Sequence, residues 1–165
     1  MNTLFEDTVK GAIISACQKY RYSLWRIWDN TKPNVLFIML NPSTADADID
    51  DPTIRRCIGF AKSWGYGGVY VGNLFAYRST NPKELLKAIN PIGDDNIFHL
   101  QAMSSRCEIA VCAWGNSAIV TKLCKNKPLS VIQIALNYLE LSNDGTPKHP
   151  LYLRSDLKPV EYLIN

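Results

Sequence analysis

Polar side chains in this sequence gather where apolar runs stop. The run VLFIML (35–40) ends in Asn41-Pro42-Ser43-Thr44, and GGVYVGNLFAY (67–77) carries Asn73 and leaves through Tyr77-Arg78-Ser79-Thr80. EIAVCAW (108–114) ends at Trp114-Gly115-Asn116-Ser117, and a late segment holds His149-Pro150-Leu151-Tyr152. An amide offers two donors and an acceptor, and a neutral imidazole offers one of each. Such groups complement the edge of a planar heterocycle such as a nucleobase. Each residue has a local account too: Asn41-Pro42 as a strand-terminating turn, Asn73 as a stitch between loops, His149 as a solvated loop histidine. His99, in an amphipathic segment, reads as structural.

Asp46, Asp48, Asp50 and Asp51 crowd one loop. A calcium loop needs glycine at its sixth position and a closing glutamate, and neither is present. The loop therefore reads as solvated and helix-capping, with Asp51 as N-cap and a general-base role open to one aspartate. Arg55, Arg56 and Arg78 are candidate phosphate contacts, ion pairs with the aspartates being the alternative. Glycine-rich phosphate loops, GxSxG elbows and HExxH motifs are missing from the sequence. The five cysteines, Cys17, Cys57, Cys107, Cys112 and Cys124, are scattered and lack CxxC spacing. They read as reduced core thiols, and no metal or other cofactor is expected.

The elements that must position these groups follow from periodicity. Residues 11–28 are rich in β-formers and predict one or two strands forming an antiparallel edge element before the turn 29–33. The apolar runs at 35–40, 67–77 and 108–114, with LSVIQIALNYL (129–139), predict four strands, the first of them central. Helices are expected from Pro52 to Gly65, from Asn81-Pro82 through KELLKAI, over 94–106, and after Ser117, with a turn-rich tail. Strand-loop-helix repetition argues for a mostly parallel sheet with helices on both faces. The chain has 165 residues, 47% hydrophobic and 20% charged, which suits one domain over 1–165 with a packed core. A net charge of +3 permits nucleic-acid contact without requiring it. With no apolar leader and no segment of membrane-spanning length, a cytoplasmic protein with no membrane partner is expected.

Taken together, LNPSTAD, DDPTIRR, WGYGG, NLFAYRSTNP and HPLYL resemble a bacterial and phage domain family of unknown function, from about Tyr20 to Pro159. The same motif order also resembles the uracil-DNA glycosylase superfamily. That likeness implies a three-layer α/β/α sandwich with a short, mostly parallel central sheet, here with an added N-terminal β element. It also implies roles. Asn41, in Met39-Leu40-Asn41-Pro42, matches the residue that orients the attacking water, and Asn73 matches the asparagine that bonds the uracil edge. AWGNSA, with Asn116, is similar to a glycine-containing turn of the superfamily. His149-Pro150 matches a histidine near the base carbonyl, followed by a loop that wedges into DNA, with Tyr152 or Leu153 as wedge.

By this resemblance Asn41 and His149 are catalytic. Pro42, Ser43, Asn73, Phe75, Tyr77, Trp114 and Asn116 contact the base, and Arg55, Arg56, Arg78, Tyr152 and Arg154 contact nucleic acid or phosphate. Met39 stands where several such families have glycine, and Leu151 where a small residue is usual, so a modified base is expected rather than plain uracil. The partner is then nucleic acid or a nucleotide. Two alternatives use the same pocket: a binding module without turnover, and an enzyme of free nucleotides or nucleosides.

Overall fold

The computed structural model describes residues 8–123 and 127–163. Apolar runs with no polar interruption become its innermost strands. In β3 (Asn34–Met39) and β4 (Gly68–Asn73) almost every residue is buried, as strands covered on both faces require. Five further strands, β1 (Val9–Ile14), β2 (Arg21–Ile27), β5 (Ile109–Cys112), β6 (Ala135–Tyr138) and β7 (Val160–Glu161), complete one sheet in the order β1-β2-β4-β3-β5-β6-β7.

The expected mostly parallel sheet is corrected to a mixed one. β4, β3, β5 and β6 run parallel, whereas β1 with β2, β2 with β4, and β6 with β7 pair antiparallel. The connection 28–33 between β2 and β3 is too short for the crossover that parallel strands need, so β2 must run opposite to β3. β1 occupies the edge, while β2 lies inside the sheet against β4.

Alternation along β3 sorts the core into two halves. Leu36 and Ile38 join Leu100 and Met103 of α2 (Asn96–Ser104) and Ile119 and Val120 of α3 (Ser117–Leu123). Val35, Phe37 and Met39 instead meet Ile54, Cys57, Phe60 and Ala61 of α1 (Pro52–Ser63). α1 begins as its sequence predicts, with Pro52 in the first turn and the Asp51 carboxylate accepting from the Ile54 N–H at 2.9 Å. α2 comes close to the sheet because Gly72 has no side chain: a Cβ there would sit 2.7 Å from Leu100 and Met103.

Other expectations need correction. The segment read as one strand over 129–139 opens as a 3-10 turn, Lys127–Val131, and only Ala135–Tyr138 is extended. Pro128 cannot donate to a ladder, and its fixed φ suits the start of a turn. KELLKAI forms only a 3-10 turn, Pro82–Leu86, capped by Asn81. The tail holds a 3-10 turn, Pro150–Tyr152, and the short β7. Cys57 and Cys112 are buried free thiols and Cys107 is half-buried, but Cys17 is exposed rather than in the core; Cys124 lies outside the described residues. No helix among the described residues is long and apolar enough to cross a membrane.

Candidate functional site

β3 is flanked by β4 on one side and β5 on the other, so the chain leaves adjacent strand ends in opposite directions. Such a switch point opens a crevice beyond the carboxyl ends of the strands. A recess of about 320 Å³ lies there, bordered by Asn41, Pro42 and Ser43 after β3, by Asn73 at the end of β4, and by Trp114 and Asn116 after β5. The first turn of α1 and His149 complete the wall. The three polar strand exits and the late His149 segment singled out in the sequence therefore meet at one place.

Asn41 is half-committed to holding the recess together. Its NH2 group donates to the carbonyls of Ser79 at 3.0 Å, Pro42 at 3.2 Å and Tyr77 at 3.3 Å. Three acceptors around one atom fix which end of the amide carries nitrogen. The β3 exit is thereby tied to the β4 exit, and backbone bonds from Leu74 and Phe75 to Met39 and Leu40 reinforce the tie. Among the described residues nothing bonds the Asn41 Oδ1, which remains an acceptor.

Asn73 is the reverse case. It closes β4 rather than sitting inside it, is only 1% exposed, and neither its NH2 nor its Oδ1 has a hydrogen-bond partner among the described residues. Its backbone is fixed nonetheless, because Asn96 at the start of α2 donates to the carbonyls of Asn73 at 2.9 Å and Leu74 at 3.2 Å. A buried amide without partners is costly, and such groups are rare in folded proteins. Its side chain does not stitch loops together.

His149 is half-buried, and its tautomer follows from its neighbours. Pro150 has no N–H, so Nδ1 accepts from the next amide, Leu151, at 3.2 Å, which places the proton on Nε2. Burial pushes the imidazole pKa down, partly offset by Asp51. The ring is therefore a neutral N–H donor at neutral pH, and no acceptor among the described residues bonds Nε2. Gly115 lets His149 approach: at φ +72° it adopts a left-handed backbone, and a Cβ there would lie 3.0 Å from the His149 Cβ. Asp51 borders the recess with one carboxylate oxygen on the α1 cap and the other without a protein hydrogen bond among the described residues. Asn116 accepts from the Ile119 N–H at 3.3 Å and so doubles as a helix cap. Trp114 is buried, with its edge toward Tyr162.

Arg21, absent from the expected site, also borders the recess. It is 2% exposed, and its one side-chain hydrogen bond among the described residues joins an η-nitrogen to the Ala45 carbonyl at 3.1 Å, while Nε has no partner among them. Burial pulls its pKa down to about 10, with Asp51 opposing, so it stays cationic at neutral pH. Arg26, fully buried, is by contrast well satisfied. It pairs with Asp50 at 2.7 Å and donates to the carbonyls of Gly11, Trp25, Asp46 and Ile49. The acidic loop is thus clamped from beneath, while Asp46 accepts from the amides of Asp48 and Ile49. Arg21 and Arg26 open and nearly close β2, and arginine in an otherwise apolar strand is the signal that could have marked both.

Other expected site residues lie elsewhere. Phe75 is wholly buried in the α2 side of the core, and Tyr77 packs edge-on against Tyr20; neither borders the recess. Arg55 and Arg56 sit on α1, donating to the carbonyls of Asp50 and Pro150, with Arg56 over the Phe60 ring. Arg78 donates to the Gln18 carbonyl, and Arg154 pairs with Asp156. Tyr152 is 92% exposed, whereas Leu153 packs toward the α1 side of the core. His99 is stacked on Tyr22, as a structural residue would be.

The family model described as "Protein of unknown function (DUF1643)" matches residues 21–151, from the start of β2 to the turn after His149. That span includes every residue named above as bordering the recess. Searches of curated proteins and of solved structures give no match.

Proposed function

The chain belongs to the DUF1643 family, whose description assigns no activity, and from the site itself we propose that the recess recognises a nucleobase and cleaves its N-glycosidic bond. The carrying observation is Asn73, whose two donors and one acceptor have no partner among the described residues and which borders a recess that none of those residues fills. A heterocycle carrying a carbonyl beside an N–H offers the complementary pattern. Trp114 supplies an apolar wall, and the Nε2–H of His149 meets a carbonyl oxygen of the base.

Cleavage then needs a water at the sugar carbon. Its oxygen forms the new bond, the glycosidic electron pair leaves with the base, and His149 stabilises the charge on the base oxygen. Asn41 Oδ1 orients the water by accepting one of its hydrogens, and the free oxygen of Asp51 takes up the proton the water loses. The fold that goes with this reading is the uracil-DNA glycosylase-like three-layer arrangement, supported by α1 on one face of the sheet and α2 and α3 on the other. The setting is the cytosol. In DNA the target nucleotide is extruded into the recess, with exposed Tyr152 as the wedge.

The test is alkali-revealed strand cleavage on oligonucleotides carrying uracil or modified pyrimidines, with wild type, Asn41→Ala, Asn73→Ala and His149→Ala side by side. Cleavage of a modified base by wild type and its loss in Asn73→Ala is the expected result. Inactivity of wild type on every substrate removes the cleavage step. A second reading is recognition without turnover: three loop carbonyls hold the Asn41 NH2 group, and that structural role accounts for the residue without a catalytic one. That reading predicts thermal stabilisation by a base or nucleotide with no product formed.

A further inference from the structure

Arg21 reaches the recess through an irregularity in β2. Ile13 of β1 pairs with Ser23, but the next residue, Ile14, pairs with Arg21, so Tyr22 is an extra residue in the ladder. Side chains on a strand alternate between faces, and a bulge reverses that alternation. Leu24 faces α1; strict alternation would send Tyr22 the same way and Arg21 to the other side. Tyr22 instead stacks on His99 of α2, while the Arg21 guanidinium bonds Ala45 and borders the recess. The bulge turns a cation into the pocket. One carbonyl then satisfies a group with five N–H donors, and no carboxylate among the described residues comes within ion-pairing distance.

A buried cation with no carboxylate at ion-pairing distance among the described residues, and only the longer-range pull of Asp51, is costly, and a carboxylate or phosphate is the partner a guanidinium fork fits best. We propose that Arg21 is the anion subsite of this pocket, so that its ligand is an acidic heterocycle whose carboxylate or phosphate meets the guanidinium while its ring edge meets Asn73. The proposal rests on the base-recognition reading for the ring and on Arg21 alone for the charge. The depth of Arg21 favours an anionic group carried on the small ligand over the backbone of a duplex, which contacts exposed side chains.

Calorimetric titration with matched pairs tests it: uracil against uracil-6-carboxylate, and uridine against uridine 5′-monophosphate, with benzoate as an anion lacking the base edge. Charge-assisted hydrogen bonds in a buried site predict about 10- to 100-fold tighter binding of the charged member of at least one pair. Which pair responds distinguishes carboxylate from phosphate. Arg21→Met, of similar length and uncharged, removes the preference; Arg21→Lys, which keeps the charge and loses the fork, reduces it. Equal binding of both members of each pair to wild type overturns the proposal, as does a preference that survives in Arg21→Met. If Arg21→Met does not fold, the wild-type pairs and Arg21→Lys decide. Uracil bound without a charge preference leaves the base reading standing and removes the anion subsite. Benzoate binding as tightly as uracil-6-carboxylate, unaffected by Asn73→Ala, does the reverse.

Discussion

Replacing Asn73 with leucine should make the free protein more stable while removing its ligand. The amide is 1% exposed and both its polar atoms are unpaired among the described residues, and each such group carries about 1–3 kcal/mol of uncompensated desolvation. Leucine has no polar atom to desolvate, and its extra volume can extend into the neighbouring recess instead of straining the core. The backbone bonds from Asn96 to Asn73 and Leu74 use carbonyls only and survive the change. Taking the lower bound for both groups gives a gain of about 2 kcal/mol. For a domain of this size that raises Tm by about 4–8 °C. Urea unfolding with an unchanged m-value, alongside calorimetry, measures it. A loss of about 1 kcal/mol or more would show that the amide has structural partners and would refute the reading of Asn73 as a group held in reserve for a ligand. Unchanged ligand binding in a stabilised variant would refute the other half.

Four further outcomes follow from the same geometry. Arg26→Ala strips the acidic loop of its clamp and leaves Asp50 unpaired, so stability should fall by about 3–5 kcal/mol and limited proteolysis should open the chain at 46–51. Gly115→Ala forces a Cβ onto a left-handed residue 3.0 Å from His149, costing about 1–3 kcal/mol and weakening ligand binding beyond that loss. Asp51→Ala removes the α1 cap at a cost of about 1 kcal/mol, whereas Asp51→Asn keeps most of that stability, so a defect shared by both in turnover isolates the charge. The His149 pKa lies below its ordinary value, so the unfolded chain binds the proton more readily; this contribution to stability is present above about pH 6.5 and is lost as pH falls through the folded value. His149→Asn, which keeps an acceptor for the Leu151 amide, should flatten that part of a Tm-against-pH curve, leaving the contribution of His99, whose burial acts in the same direction.

What the residues disclosed unaided follows a physical division. Runs buried on both faces, VLFIML above all, leave a local imprint because every position must be apolar, and they marked the central strands and hence the strand exits. The α1 start was equally plain, since Asp51-Pro52 is a cap and first turn in adjacent residues. Segment 129–139 misled because β-branched residues also serve a 3-10 turn that buries Leu129, and the proline preceding it carried the better information. Phe75 and Tyr77 misled for another reason. Past Asn73 the chain bonds back onto Met39 and Leu40, and that turn sends Phe75 into the opposite half of the core.

The arginines divide most sharply. Arg55, Arg56, Arg78 and Arg154 looked like contacts for an anion and are each bonded to a carbonyl or a carboxylate nearby. Arg21 and Arg26 lie within the segment 11–28 read only as β-forming, and both are buried. Their partners, Ala45 and Asp50, lie 24 residues away, and no local pattern encodes that distance. The two also differ in what the fold leaves them. Arg26 spends all three guanidinium nitrogens on the protein and so is structure; Arg21 spends one, and the extra residue at Tyr22 that aims it has no role in sheet pairing. The bulge seats Tyr22 on His99 and also turns toward a cavity a cation with a single side-chain bond; the packing explains the first, and what enters the cavity explains the second.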